Sequence, residues 1–156
     1  QLPASPRQAA DLLLDTTRSW AGLPPASVAV VGPSLGGFYA SWVAQQLRCK
    51  SVMLNPSTTP RVTLEQPQGE QTAWHNPEAS FLFRPEYLDE LQALNVNGQP
   101  PAAPQLLIAA MGDEVLHWQD MVARYPAAQL LLDEGSDHAL SNFDSYLPQI
   151  DKFLGW

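Results

Sequence analysis

A three-layer α/β sandwich built on a mainly parallel sheet is the fold class predicted by this 156-residue sequence. Short, continuous apolar runs at Val28 to Val31, Ser51 to Leu54, Gln105 to Ala110 and Gln129 to Leu132 suit strands covered on both faces. Between them lie stretches whose apolar residues recur at helical spacing. Strands that alternate with helices wind into a parallel sheet with helices on either side. The whole chain, 1–156, reads as one domain, long enough to bury a real core.

The elements follow in order. A helix over about Gln8 to Trp20, apolar at Ala9, Leu12, Leu13 and Trp20, is expected to pack on the sheet, and Gly22-Leu23-Pro24-Pro25 ends it. After the first strand comes Gly32-Pro33-Ser34-Leu35-Gly36-Gly37, then a helix with Leu35, Tyr39, Trp42, Val43 and Leu47 on one stripe. The second strand closes at Asn55-Pro56. Residues 57–104, rich in Pro, Gln and Asn, read as a small cap inserted between two strands, with Trp74, Phe81, Phe83 and Tyr87 and one helix signal from Arg84 to Leu91, Pro85 in its first turn. A lid shaping an acyl pocket and an irregular excursion glued down by aromatics are both open. The third strand leads to a helix from His117 to Tyr125 patterned Trp118, Met121, Val122, Tyr125; the fourth leads to a C-terminal helix with Leu147, Ile150 and Leu154 inward.

Composition narrows the function. Eight basic against sixteen acidic residues give a net charge of -8, which argues against nucleic acid or an anionic membrane surface as partner. Cys49 is the single cysteine, a buried filler before a strand, so no intrachain disulfide forms and the default location is cytoplasmic. No run is long enough to span a bilayer, and no charged-then-apolar leader is present. The opening Gln1-Leu2-Pro3-Ala4-Ser5-Pro6 reads as the tail of something longer, and a truncated or processed chain is expected.

The chemistry starts at Ser34. In G-x-S-x-G, a sharp strand-to-helix turn lifts the serine hydroxyl clear of the sheet, and flanking glycines let the backbone pass close to itself. An ordinary Gly-rich turn of an α/β protein is the bland alternative. A serine hydroxyl needs a base within hydrogen-bond reach and an acid to orient that base. Met111-Gly112-Asp113-Glu114-Val115 follows the third strand and Glu134-Gly135-Ser136-Asp137-His138-Ala139 the fourth. Ser34, Asp113 and His138 thus fall at carboxyl ends of strands, where open α/β sheets hold their ligands, in the order Ser, Asp, His of the α/β-hydrolases. The backbone N–H of Leu35 is the expected oxyanion donor, at the positive end of the following helix. Glu114, Asp133 and Asp137 remain alternatives to Asp113, with Asp137 disfavoured because adjacent residues rarely face each other. His75 reads as cap surface or pocket wall and His117 as a solvated helix start. No metal-ligand spacing appears, and no metal is expected.

With these pieces in place the chain resembles the YqiA-like bacterial esterases of the α/β-hydrolase superfamily. The shared stretches are Gly32 to Ala40, Leu54-Asn55-Pro56, Gly112-Asp113-Glu114-Val115-Leu116, and Gly135-Ser136-Asp137-His138-Ala139 with Phe143 beyond. The resemblance implies hydrolysis of small-molecule carboxylic esters or acyl thioesters without a cofactor, with Ser34, Asp113 and His138 at the motif positions. Two departures stand out. Pro33 replaces the family's usual serine, removing an N–H beside the nucleophile, and is expected to be tolerated. Nothing matches the family's first strand and its His-Gly-Phe type loop, so the sandwich is expected to lack its N-terminal strands and one oxyanion donor, a loss on the order of a hundred-fold to a thousand-fold in turnover. Val28 to Val31 would then be an exposed edge, and either a homodimer or a partner segment pairing with it is expected. A non-catalytic module binding an acyl ligand or a protein is the competing reading, and an acyltransferase shares the same first half-reaction.

Overall fold

The computed structural model of the chain describes residues 2–18, 23–24, 27–60, 69–73 and 76–155. In chain order the elements are α1 (Pro6–Arg18), β1 (Ala29–Pro33), α2 (Leu35–Leu47), β2 (Lys50–Leu54), β3 (Gly69–Ala73), β4 (Asn76–Phe83), α3 (Glu86–Ala93), β5 (Gln105–Ala110), α4 (Trp118–Arg124), β6 (Gln129–Asp133), a 3-10 turn (Phe143–Tyr146) and α5 (Leu147–Leu154). They fall into two compact units: Gln1–Trp20 with Thr59–Asn95, and Ala21–Thr58 with Val96–Trp156.

The second unit is a three-layer α/β sandwich. Its four strands are all parallel, in the order β1-β2-β5-β6. On one face Val52, Leu54, Leu106, Ile108 and Ala110 pack with Tyr146, Ile150 and Leu154 of the 3-10 turn and α5. On the other, Met53, Leu107 and Ala109 pack with Met121 and Tyr125 of α4 and its C-cap. The Tyr125 hydroxyl bonds Ser41 Oγ at 3.3 Å, fastening α2 to the α4 side, and burial pushes its pKa up. Lys50 Nζ donates to the carbonyls of Phe153 and Leu154, both at 2.9 Å, tying two carbonyls of the last turn of α5 to the start of β2.

Burial separates the inner strands from the outer ones. From Ser51 to Met53 and from Leu106 to Ala110 no residue exceeds 1% exposure, as continuous apolar runs require. The edges depart from the expectation of cover on both faces: Val31 is 51% exposed, and Leu130 and Leu132 are each 40% exposed. An edge strand has a neighbour on one side only, and helices as short as α4 and α5 reach the middle of the sheet first. Leu147, expected inward, is 41% exposed, because Tyr146 takes the buried place where the chain enters α5. Cys49 is a buried filler as expected, and burial raises its thiol pKa.

The first unit joins α1 to the insertion. Ser5 caps α1: its Oγ accepts the Gln8 N–H at 3.2 Å and donates to Glu90 Oε2 at 2.7 Å, and that same oxygen accepts the Arg7 N–H at 3.0 Å. Within this unit α1 groups with α3. Pro6, Ala9 and Ala10 are its buried residues, and Leu12 is exposed. The insertion also contains an antiparallel hairpin, β3 with β4, that the sequence did not announce. Gly69–Ala73 lacks apolar alternation and Pro77 stands near the start of β4, so neither strand carries the period-two signal. The expected helix is present as α3, with Pro85 at its N-cap and the Phe83 and Tyr87 rings edge to face at 5.6 Å. Trp20, Trp74 and His75 lie outside the described residues.

Candidate active site

The turn from β1 into α2 places Ser34 at φ 50°, ψ -122°, a conformation that L side chains rarely adopt. Its surroundings over-determine it. The Ser34 N–H donates to the Leu54 carbonyl at 2.8 Å, and its own carbonyl accepts the N–H groups of Gly37, Ser57 and Phe38 at 2.9, 3.0 and 3.3 Å. A Cβ on Gly32 would stand 2.2 Å from the Gly36 carbonyl oxygen, and one on Gly37 would stand 2.8 Å from Pro56 Cβ. The backbone passes too close to itself for any side chain at either position. Pro33 is the last residue of β1, and the turn forms around it. Leu35 opens α2, so its N–H has no partner four residues back in the helix.

Beyond β5, Asp113 turns the chain back on its own carboxylate: Oδ1 accepts the N–H groups of Val115 and Leu116, both at 2.8 Å. That leaves Oδ2 to face His138 Nδ1 at 2.8 Å, with the carboxylate side chain 0% exposed and the imidazole 20% exposed. His138 Nε2 lies 3.1 Å from Ser34 Oγ. With Nδ1–H donated to the carboxylate, Nε2 presents its lone pair toward the serine hydroxyl. Three side chains from three strand ends form one continuous hydrogen-bonded line.

The other acids near His138 have different work. Glu114 Oε2 accepts the backbone N–H of His138 at 3.1 Å. Asp137 accepts from Ser141 through both its N–H, at 2.9 Å, and its hydroxyl, at 2.6 Å, and these bonds lower its pKa. Asp133 Oδ2 accepts from the Tyr146 hydroxyl and, at 2.9 Å, from Asn142 Nδ2, while Oδ1 accepts the Gly135 N–H at 2.7 Å. The Tyr146 bond leads these in bringing the Asp133 carboxyl down to about 2. Burial and that carboxylate together raise the Tyr146 pKa. Gly112 lets the loops that carry Asp113 and His138 come into contact, since a Cβ there would stand 2.5 Å from the Ser136 carbonyl oxygen.

Other residues of the arrangement carried weaker signals. Asn55 stood in the sequence as a strand terminator, yet it is 1% exposed and bonded to both the β5 end and the base loop. An asparagine between a strand and a proline is the one local hint, because asparagine tolerates the left-handed backbone it adopts at φ 40°. Asn142 and Tyr146 gave no signal. His117 is exposed ahead of α4. No group of three or more His, Cys, Asp or Glu placed to hold a metal occurs among the described residues, and no helix among them is long and apolar enough to cross a membrane.

Solved structures share this fold. Est1E from Butyrivibrio proteoclasticus, whose structure is also known with ferulic acid bound, superposes with a TM-score of 0.72 at 17% identity, over 96% of this chain and 68% of its own. A monoacylglycerol lipase from Paleococcus ferrophilus gives 0.69 at 14% identity, over 96% of this chain and 75% of its own. A protein from Agrobacterium vitis gives 0.61 at 20% identity, over 81% of this chain, which spans only 60% of that protein's length. Likeness at these identities speaks for the α/β-hydrolase fold. The model of the uncharacterised protein family UPF0227 matches residues 1–155, and the chain belongs to that family.

Proposed function

We propose that this chain is a serine hydrolase that cleaves carboxylic esters or acyl thioesters through an acyl-enzyme on Ser34, and that within its family it is an esterase of the YqiA-like kind. The observation that carries this reading is the line Asp113 Oδ2 to His138 Nδ1 at 2.8 Å and His138 Nε2 to Ser34 Oγ at 3.1 Å, ending at a serine held at φ 50°. Two similar structures, a monoacylglycerol lipase and an esterase domain from Rhodothermus marinus, bear names that fit ester chemistry.

Each group then has a role. Ser34 Oγ attacks the carbonyl carbon while His138 Nε2 takes its proton, and the buried Asp113 carboxylate stabilises the imidazolium that results. The oxyanion of the tetrahedral intermediate meets the Leu35 N–H at the positive end of α2. Collapse expels the alkoxide or thiolate, which receives the proton from His138. Water, deprotonated by the same imidazole, releases the acid and regenerates Ser34. No step calls for a cofactor.

Hydrolysis of p-nitrophenyl butyrate by the parent and by Ser34→Ala tests this directly. The variant is expected to lose on the order of 10⁴ to 10⁶ in rate, and a fluorophosphonate should label the parent at Ser34 by mass spectrometry. Equal rates for the two proteins would overturn the proposal. Labelling without turnover would favour the acyl-binding or acyltransferase readings.

A further inference from the structure

Asn55, the residue just after β2, uses both donors and the acceptor oxygen of its side chain around His138. Its Oδ1 accepts the Ala110 N–H at 2.8 Å, at the last residue of β5. Its two Nδ2 protons go to two successive carbonyls, those of Asp137 at 2.9 Å and His138 at 3.1 Å. An amide offers two donors and one acceptor group, and all are used in a residue that is 1% exposed. Its backbone is fixed as well, the N–H donating to the Ile108 carbonyl at 2.9 Å.

A buried amide must find acceptors for both of its donors, and here both acceptors are carbonyls that flank a single residue, His138. The two donated bonds do something more specific. The Asp137 carbonyl belongs to the peptide before His138 Cα and the His138 carbonyl to the peptide after it. Fixing both peptide planes fixes the direction of the Cα–Cβ bond between them, because a residue has only two soft backbone dihedrals. Glu114 pins the first of these planes again through the His138 N–H. The imidazole's reach to Asp113 and Ser34 therefore depends on a side chain just after β2 whose hydrogen bonds go to neither.

We infer that Asn55 is a positioning residue for His138, acting through the two peptide groups that flank it; this rests on the triad reading above. Asn55→Asp tests it with little change of shape, since a carboxylate can still accept from Ala110 but cannot donate to both carbonyls. Asn55→Gly is the second variant: it removes the side chain and adopts the positive φ without strain. Two readouts are used, the rate of fluorophosphonate labelling at Ser34 and the NMR signal of the His138 Nδ1 proton shared with Asp113. Expected, in variants with parental circular dichroism, is labelling slowed on the order of a hundred-fold together with loss or broadening of the imidazole signal. Parental labelling and a parental imidazole signal in either folded variant would overturn the inference. Should the parent itself fail to label at Ser34, the triad reading fails, and the imidazole signal alone still decides whether Asn55 orients His138.

Discussion

The loop that carries Asp113 and the loop that carries His138 are held in place by opposite means. Asp113 is fixed from within: its own Oδ1 takes the N–H groups two and three residues ahead, and the turn closes on itself. His138 is fixed from outside, by Asn55 from the end of β2, by Glu114 from the other loop, and by the Asp133, Tyr146 and Asn142 network around its base. The acid needs to present one oxygen, and a short turn does that. The imidazole meets a carboxylate on one side and a hydroxyl on the other, and its loop is held by groups from outside it.

Of the changes to these two loops, the largest expected effect comes from spoiling the self-contained turn at the end that faces His138. Asp113→Asn should cut ester turnover on the order of 10⁴-fold, because an amide turned to donate toward Nδ1 favours the wrong imidazole tautomer. Steady-state rates and Ser34 labelling measure it, and a loss under tenfold would mean that another acid can orient His138. Next is the contact between the loops. Gly112→Ala drives a Cβ to 2.5 Å from the Ser136 carbonyl oxygen and should slow Ser34 labelling on the order of ten-fold to a hundred-fold. Gly135→Ala, where the nearest atom is a side-chain oxygen at 3.8 Å, is the matched control and should label at the parental rate.

The smallest effect isolates the outer network. Asp133 has its pKa lowered from 3.8 to about 2 in the folded chain. A depressed carboxyl stabilises the fold at pH values above 3.8, and that contribution is lost as the pH falls through about 2. Asp133→Asn should therefore lower the melting temperature at pH 7 by about 2 to 4 °C and flatten its decline between pH 4 and 2. Parallel melting curves for both proteins across that window would show that Asp133 does not carry this linkage.

Legibility followed the same division. The inner strands β2 and β5 were readable because strands buried on both faces are continuously apolar, whereas β3 and β4 pair through backbone bonds that leave no pattern in side chains. Glycines at Gly32 and Gly37 and the Ser34 turn were readable because a tight turn restricts residue types within a few positions. Asp113 was the expected acid by its place after the third strand, with Glu114, Asp133 and Asp137 left as alternatives, and Asp113 is the one that faces the imidazole.

What the sequence determined by itself is the local geometry: a strand, a turn that admits only glycine at two positions, a strained serine and an acid that closes its own turn. Each involves neighbours a few residues apart, where sterics and short hydrogen bonds restrict the residue types directly. Tertiary structure alone decided that the expected Asp113, His138 and Ser34 come within hydrogen-bond distance of one another, and that Asn55 grips the backbone on both sides of His138. Those contacts span 25, 104 and 83 residues of chain, and only the register of the sheet brings their partners to one end.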